Sequence, residues 1–431
     1  MYFATVSLPL HSSNNFLAWI TIGGSYTIVH VVLLTLVAVA CIRSLGNGRV
    51  NWANAFCVVF VFGHLMALMM GVRAYGLHQA LLDFGRYLLA ILFLVGARTR
   101  RFGKADLQFF LYLSMMAMFV NCCINVVMDV TGWSVWGLQA FFSENRLGGG
   151  YFSLVAFFIP YALYCVLNDD ECVKLWFFAA FLAVAFVGLL YAKSRTPLLL
   201  MTVGCIVALA VNILNVRGRN YGLRLVATIA LGWIGIAFVG TFLSSSSDLA
   251  QRMLMIGSGS SLMSTSGSLL NRLITWQYYW GRILANPMGY GYGAQMIGFS
   301  NSGDMVLDAM SFEVDSALHT VGYHGGLFGM ALYVILVGSP FVALIRSRGM
   351  GKARKAVLMA CYALLLFGVF LMTSQCIHNY PVVAFVWTFI GLTLDMTPFC
   401  ETADEAPPTD TRREGLRATA QGHRSLEARR I

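Results

Sequence analysis

A series of apolar windows, each about twenty residues long or more and free of Asp, Glu, Lys and Arg, constrains this chain more than any other feature. They run over roughly 16–42, 52–72, 107–128, 147–168, 175–192, 196–216, 225–247 and 325–345. A helix needs about 20 apolar residues to cross the hydrocarbon layer of a membrane. The stretch 356–394 is also free of charge but too long for one crossing. Its segment Thr373-Ser-Gln-Cys-Ile-His-Asn-Tyr-Pro381 predicts a break into two helices, with Pro381 opening the second. One further window, 80–97, contains Asp83 and Arg86 but is otherwise apolar. The pattern predicts an all-α, polytopic transmembrane bundle of about 11 spans.

Composition agrees and removes the alternatives. Charged residues make up 11% of the chain and hydrophobic residues 58%, whereas soluble domains carry about 25% charged residues. A disordered chain would need low hydrophobicity and high charge. A β-barrel would alternate apolar and polar positions, and these runs are continuously apolar. The net charge of +10 does not mark a nucleic-acid binder, because the basic residues sit in short segments between spans. The ten cysteines show no paired spacing of the metal or redox kind. Cys41, Cys57, Cys205 and Cys361 fall inside apolar runs and read as small buried hydrophobes, as does the adjacent pair Cys122 and Cys123. The first basic residue is Arg43, so the start of the chain does not read as a cleavable signal peptide.

Basic residues set the orientation. With the N-terminus outside, most of them fall on the inner side, in clusters at 43–49, 98–104, 217–224, 346–355 and 412–430. That is the positive-inside pattern. Residues 1–398 read as the membrane domain, and 399–431, rich in Pro and charge without apolar periodicity, as a disordered cytoplasmic tail. Residues 244–322 read as a long outer loop: a flexible Ser/Gly-rich stretch from Ser244 to Ser268, then an aromatic part able to form short amphipathic helices.

Arginines on the outer side run against this bias and are costly near hydrocarbon. A guanidinium matches phosphate oxygens bidentately and keeps its charge. Arg73, Arg146, Arg195 and Arg272 therefore point to an anionic, phosphate-bearing ligand, with Arg86 as a deeper member. The competing reading makes them interfacial anchors or partners of Asp83, Asp129 and Glu144; Asp83 and Arg86, three residues apart, fit an ion pair on one helix face. Arg252 and Arg282 read as anchors and Lys193 as a snorkelling lysine. Asp315, His319 and His324 lie near the return into the membrane, where a carboxylate or imidazole can take a proton. Asp315 equally suits a structural role, histidines such as His319 and His324 are more often structural than catalytic, and His30 and His64 read as hydrogen-bonded packing residues. Tyr290 and Tyr292 can serve as interfacial aromatics.

Four motifs, in order, resemble the O-antigen ligase/polymerase superfamily. They are Asn145-Arg146-Leu-Gly-Gly-Gly150 leading into a span, and Ser194-Arg195 opening another, where Thr196 stands in place of the usual Gly. Next comes Arg272 with Trp276, followed by Asn286-Pro287-Met-Gly289-Tyr-Gly291-Tyr-Gly293. Last is Asp315-Ser316 ahead of Gly326-Leu-Phe-Gly329. The resemblance covers roughly 140–345. It implies a GT-C-like membrane glycosyltransferase of the bacterial inner membrane, with the N-terminus periplasmic, the C-terminus cytoplasmic and a large periplasmic loop. The implied donor is an undecaprenyl-diphosphate-linked oligosaccharide, with no metal, nucleotide sugar or other cofactor. Implied partners are membrane lipid, a chain-length regulator and a flippase, with no nucleic acid. Ligases of the family carry His about eleven residues before the Gly-x-x-Gly, where this chain has Asp315. That departure favours polymerisation of repeat units into O-antigen, capsule or exopolysaccharide over ligation to lipid A core. A flippase for the same lipid-linked sugars is the reading from a different class. By resemblance, Asp315, Arg195 and Arg272 are the catalytic candidates. Arg73, Arg86, Arg146, Arg195, Arg272, Tyr290, Tyr292, His319 and His324 are the candidates for holding diphosphate and glycan.

Overall fold

The computed structural model describes residues 21–22, 26–27, 52–98, 104–131, 151–168, 173–191, 195–215, 262–299, 305–311, 314, 316–347 and 350–394. Most of these are helical. The apolar windows at 52–72, 80–97 and 107–128 become α1 (Trp52–Tyr75), α2 (Leu77–Arg98) and α3 (Lys104–Thr131). A 3-10 turn, Tyr151–Leu154, leads into α4 (Val155–Leu167), and α5 (Leu175–Tyr191) and α6 (Arg195–Asn215) come next. Then come α7 (Leu262–Ala285), α8 (Ala317–Arg346), α9 (Lys352–Leu366), the short α10 (Gln375–His378) and α11 (Tyr380–Leu394). Among the described residues, 6 helices are long and apolar enough to cross a membrane: α1, α2, α3, α6, α8, and α9 with its π-helical extension. Three shorter apolar helices, α4, α5 and α11, lie within the same bundle. The expected span at 225–247, the tail at 399–431 and the stretch 244–261 lie outside the described residues.

The expectations differ from the structure at three places. Within the window 16–42, Thr21–Ile22 and Tyr26–Thr27 pair as a short antiparallel ladder, β1 and β2, rather than continuing a helix. Thr21, Ile22 and Thr27 are β-branched and Tyr26 is aromatic, the types that suit a strand. Helix α7 begins at Leu262, inside the Ser/Gly-rich stretch expected to be flexible. Among its described residues the loop holds a long helix and an antiparallel pair, β3 (Met296–Phe299) with β4 (Met305–Ser311), instead of helices alone. The step at Gly326 falls where the sequence predicts a span to open: Gly326 has the non-helical φ 68 and ψ -168, so α8 is two helices joined at a kink, one before and one after that glycine.

The break in 356–394 falls inside Thr373–Pro381 as the sequence predicts, and its cause is visible. The end of α9 widens into a π-helical turn, Phe367–Leu371, in which the Met372 N–H reaches back to the Phe367 carbonyl at 3.0 Å. Such turns are rare inside helices and concentrate at functional sites. Helix α4 packs on α6 and α9, α11 on α2, and α8 on α11, α1 and α7. Small residues permit these approaches. A Cβ on Gly204 of α6 would lie 2.5 Å from Pro160 Cγ of α4, and one on Gly391 of α11 would lie 2.6 Å from Ala97 Cβ of α2.

The tightest approach is at Gly71 of α1, where a Cβ would fall 1.9 Å from the Tyr292 carbonyl oxygen. Overpacking of this kind costs about 1–3 kcal/mol. A Cβ on Gly96 of α2 would meet nothing within 4 Å. Gly71→Ala is therefore expected to lower the thermal midpoint of the detergent-solubilised protein, while Gly96→Ala leaves it unchanged. Equal midpoints for the two variants would show that Tyr292 does not pack against α1.

Candidate functional site

Two polar assemblies stand out among the described residues. The first surrounds the glycine-rich segment after α7. Asn286 closes its opening turn: its amide Nδ2 donates to the Gly289 carbonyl at 2.7 Å, and the Gly289 N–H donates to the Asn286 carbonyl at 2.9 Å. The segment then runs between α1, α2 and α8 and bonds to each by its main chain. The Tyr292 N–H donates to Ala67 (3.1 Å), the Tyr290 N–H to Tyr323 (2.8 Å) and the Gly291 N–H to His324 (3.0 Å). The Gly293 N–H donates to the Asp83 carboxylate at 2.8 Å. Gly289, Gly291 and Gly293 all have positive φ, which is why the sequence alternates glycine with tyrosine here.

The side chains of this segment and its neighbours form a buried chain of hydrogen bonds. The Tyr292 hydroxyl meets His64 Nδ1, and His64 Nε2 meets the Tyr333 hydroxyl at 3.1 Å. A neutral imidazole donates through one nitrogen and accepts through the other, so the two tyrosines satisfy both. His324 Nε2 lies 3.2 Å from the Ala294 carbonyl, which can only accept, so that nitrogen carries a proton. Its Nδ1 faces the Tyr87 hydroxyl at 3.2 Å and the Asp83 carboxylate at 3.4 Å. Tyr292, His324 and Asp83 are 3%, 1% and 0% exposed. Tyr292 and His324, expected to touch substrate, are thus engaged with protein groups instead. Tyr290 is half-buried, its ring stacked on Tyr323 at 4.5 Å.

The second assembly is a cavity of about 190 Å³ lined by Arg272, Ser153, Thr196, Thr373 and Gln375, over an apolar floor that includes Leu365 and Val369. Four separate elements meet there: the turn before α4, the first turn of α6, α7, and the π-helical break after α9. In α7, Arg272, Trp276, Tyr279 and Ile283 recur at helical spacing. Trp276 stacks on His319 at 5.6 Å, and Ile283 meets Gly322, so this side of α7 lies along the start of α8. Tyr279 ties the helix to β3, donating to the Ile297 carbonyl at 2.9 Å and accepting its N–H at 2.5 Å. Burial pushes its phenol pKa up, so it stays a neutral donor and acceptor.

The other candidates are spread more widely. Arg195 is the first residue of α6, directly before the cavity-lining Thr196 and Pro197, and its side chain lies outside the described residues. Arg146 and Asp315 also lie outside them. Ser316, next to Asp315, precedes Ala317, whose N–H donates to the carbonyl of the cavity-lining Thr373 at 3.2 Å. His319 is buried and its Nδ1 lies 2.9 Å from Ser316 Oγ. Arg73, in the last turn of α1, and Arg86, half-buried on α2, do not line the cavity. Arg282 is exposed and bonds to the Tyr278 hydroxyl through Nε (3.2 Å) and Nη2 (3.1 Å), which suits the anchor expected of it. Ser153, Thr373 and Gln375 were missed by sequence reasoning. The signal for the last two was the predicted break in a charge-free stretch, where polar residues persist without a loop to explain them.

An apolar helical bundle with an arginine-lined cavity between helix ends defines the class as a multi-pass membrane protein. A family model described as O-antigen ligase matches residues 179–334, from within α5 to within α8, consistent with the O-antigen ligase/polymerase superfamily. No curated protein and no solved structure matches the chain.

The buried hydroxyl of Tyr292 gives a direct check on the first assembly. Tyr292→Phe leaves His64 Nδ1 without that partner, and an unsatisfied buried polar atom costs about 1–3 kcal/mol. The expected result is a lower thermal midpoint in detergent with the same elution volume. A midpoint equal to that of the parent would remove the hydroxyl from the network.

Proposed function

We propose that this protein is a metal-independent membrane glycosyltransferase that polymerises undecaprenyl-diphosphate-linked oligosaccharide repeats at the periplasmic face of the bacterial inner membrane. The observation that carries the reading is the cavity in which Arg272 meets the first turn of α6, the turn opened by Arg195. Both arginines come from motifs that resemble the family, and the two motifs are separated by more than seventy residues of chain. The family match spans both.

The chemistry suits such a cavity. An acceptor sugar hydroxyl attacks the anomeric carbon of the donor. The bond from that carbon to the diphosphate oxygen breaks, and the lipid diphosphate departs with the electron pair. The hydroxyl proton passes to a base, a role assigned to Asp315. Negative charge grows on the leaving group, and fixed guanidinium groups in a water-poor pocket stabilise it. The amides of the first turn of α6 add positive potential in the same direction. Tyr292, His324 and Asp83 hold the glycine-rich segment and take no part in the transfer. In this reading both termini follow the positive-inside pattern.

The family description favours a second reading, transfer of a finished glycan to lipid A core. Asp315 at the position where ligases carry His weighs against it. Proteoliposomes given both acceptors separate the two: label in lipid A core supports ligation, and label in a ladder of repeats supports polymerisation. Arg272→Ala is expected to cut chain growth about a hundredfold or more while the protein still inserts, the scale of losing one preorganised donor to developing charge. Arg272→Lys should recover only part, because an ammonium lacks the guanidinium fork. Polymer of normal length and amount from Arg272→Ala would overturn the leaving-group role. Lipid-linked repeats still crossing the membrane but staying unpolymerised would count against a flippase.

A further inference from the structure

The break between α9 and α11 does more than end a span. The π-helical turn frees the Gly368 carbonyl, which accepts the Thr373 hydroxyl at 2.9 Å. The extra residue in this turn rotates the chain beyond it, and Thr373 and Gln375 both come to line the Arg272 cavity. Gln375 opens α10 and is half-buried. Its side-chain carbonyl Oε1 accepts a hydrogen bond from the Ser153 hydroxyl, across the cavity wall from the turn before α4. That bond fixes the carboxamide plane. Because the oxygen end is held by Ser153, the NH2 end carries two donors on the other side of the group.

Resting on the reading of this cavity as a diphosphate site, we infer that Gln375 is a substrate-contacting residue, oriented by Ser153, that donates from Nε2 to the phosphate oxygens held by Arg272. The cavity needs such a group. Its lining contains one described guanidinium but four uncharged side chains with donors: Ser153, Thr196, Thr373 and Gln375. A diphosphate has more acceptor lone pairs than the guanidinium groups of Arg272 and Arg195 can satisfy, and a further buried cation would need its own counter-charge when the site is empty. A carboxamide supplies donors without that cost. Neutral donors also hold the departing lipid diphosphate less tightly than another arginine would, so product can leave.

The test uses the full chain purified in detergent micelles, with farnesyl diphosphate as the probe and farnesol as the control that lacks phosphate. Binding is read by calorimetry, and each variant is first checked for an unchanged thermal midpoint. The parent is expected to bind the diphosphate and not the alcohol, and Arg272→Ala to abolish binding. If Arg272→Ala binds like the parent, the underlying site reading falls. With Arg272→Ala inactive, Gln375→Met, close in volume but without donors, is expected to weaken binding about tenfold or more, the scale of a hydrogen bond to a charged group. Gln375→Glu is expected to weaken it further by presenting a carboxylate. Ser153→Ala should cause a smaller loss that vanishes in the Gln375→Met background. Parent-like affinity in both Gln375 variants would overturn the inference while leaving the Arg272 site standing. Fully additive losses from Ser153 and Gln375 would overturn the orienting role of Ser153.

Discussion

The structure depends on one constraint: non-helical backbone inserted among apolar helices must have its polar groups satisfied by protein. The glycine-rich segment meets this by bonding to α1, α2 and α8 at once. Ala67, Tyr323 and His324 offer main-chain carbonyls, and Asp83 offers a carboxylate that takes the Gly293 N–H. The close approach is possible only because Gly71, Gly289, Gly291 and Gly326 present no side chain where the backbones nearly touch. A Cβ on Gly326 would lie 2.2 Å from the Pro287 carbonyl, the same carbonyl that accepts the Leu327 N–H. The kink in α8 and the path of the segment are therefore one feature, set by the same contacts.

That wedge has a consequence for the cavity. Helix α7 carries Arg272 and leads straight into Asn286 and the glycine-rich segment. Anchoring the segment at its far end fixes the end of α7, while Trp276 on His319 and Ile283 against Gly322 fix its direction. The buried His64, Tyr292 and Tyr333 set and the Asp83, His324 and Tyr87 set act as the clamp. Their histidines are held by protein groups, which explains why aromatic and imidazole side chains that look suited to a sugar lie inside the bundle. The other walls of the cavity come from helix ends: the turn before α4, the start of α6, and the π-helical break.

Much of this was legible in the sequence. Apolar windows anticipated α1, α2, α3, α5 and α6 closely, because a span must be both long and apolar. The break at Thr373–Pro381 was legible because Pro381 and a run of polar residues cannot continue an apolar helix. The motif carrying Arg272 was legible as well. Other features were not. The pairing of β3 with β4 was not read, although the turn-forming run Ser300-Asn301-Ser302-Gly303-Asp304 separates them, because Ser, Asn, Gly and Asp mark an irregular loop as readily as a hairpin. Tyr292 and His324 looked like site residues because their types suit substrate, and only their surroundings assign them to the clamp.

The sequence by itself determined that the chain is a helical membrane protein, which residues form most of its described spans, and that arginines and glycines recur in an order resembling one superfamily. These conclusions come from local quantities: the length of an apolar run, the sign of a loop's charge, the conformational freedom of glycine. The tertiary structure decided which polar residues meet. Ser153 and Gln375 are 222 positions apart and Asp83 and the Gly293 amide 210, and no local pattern encodes such pairs. They are chosen by how helices pack, where the requirement that buried polar atoms find partners operates between segments rather than along one.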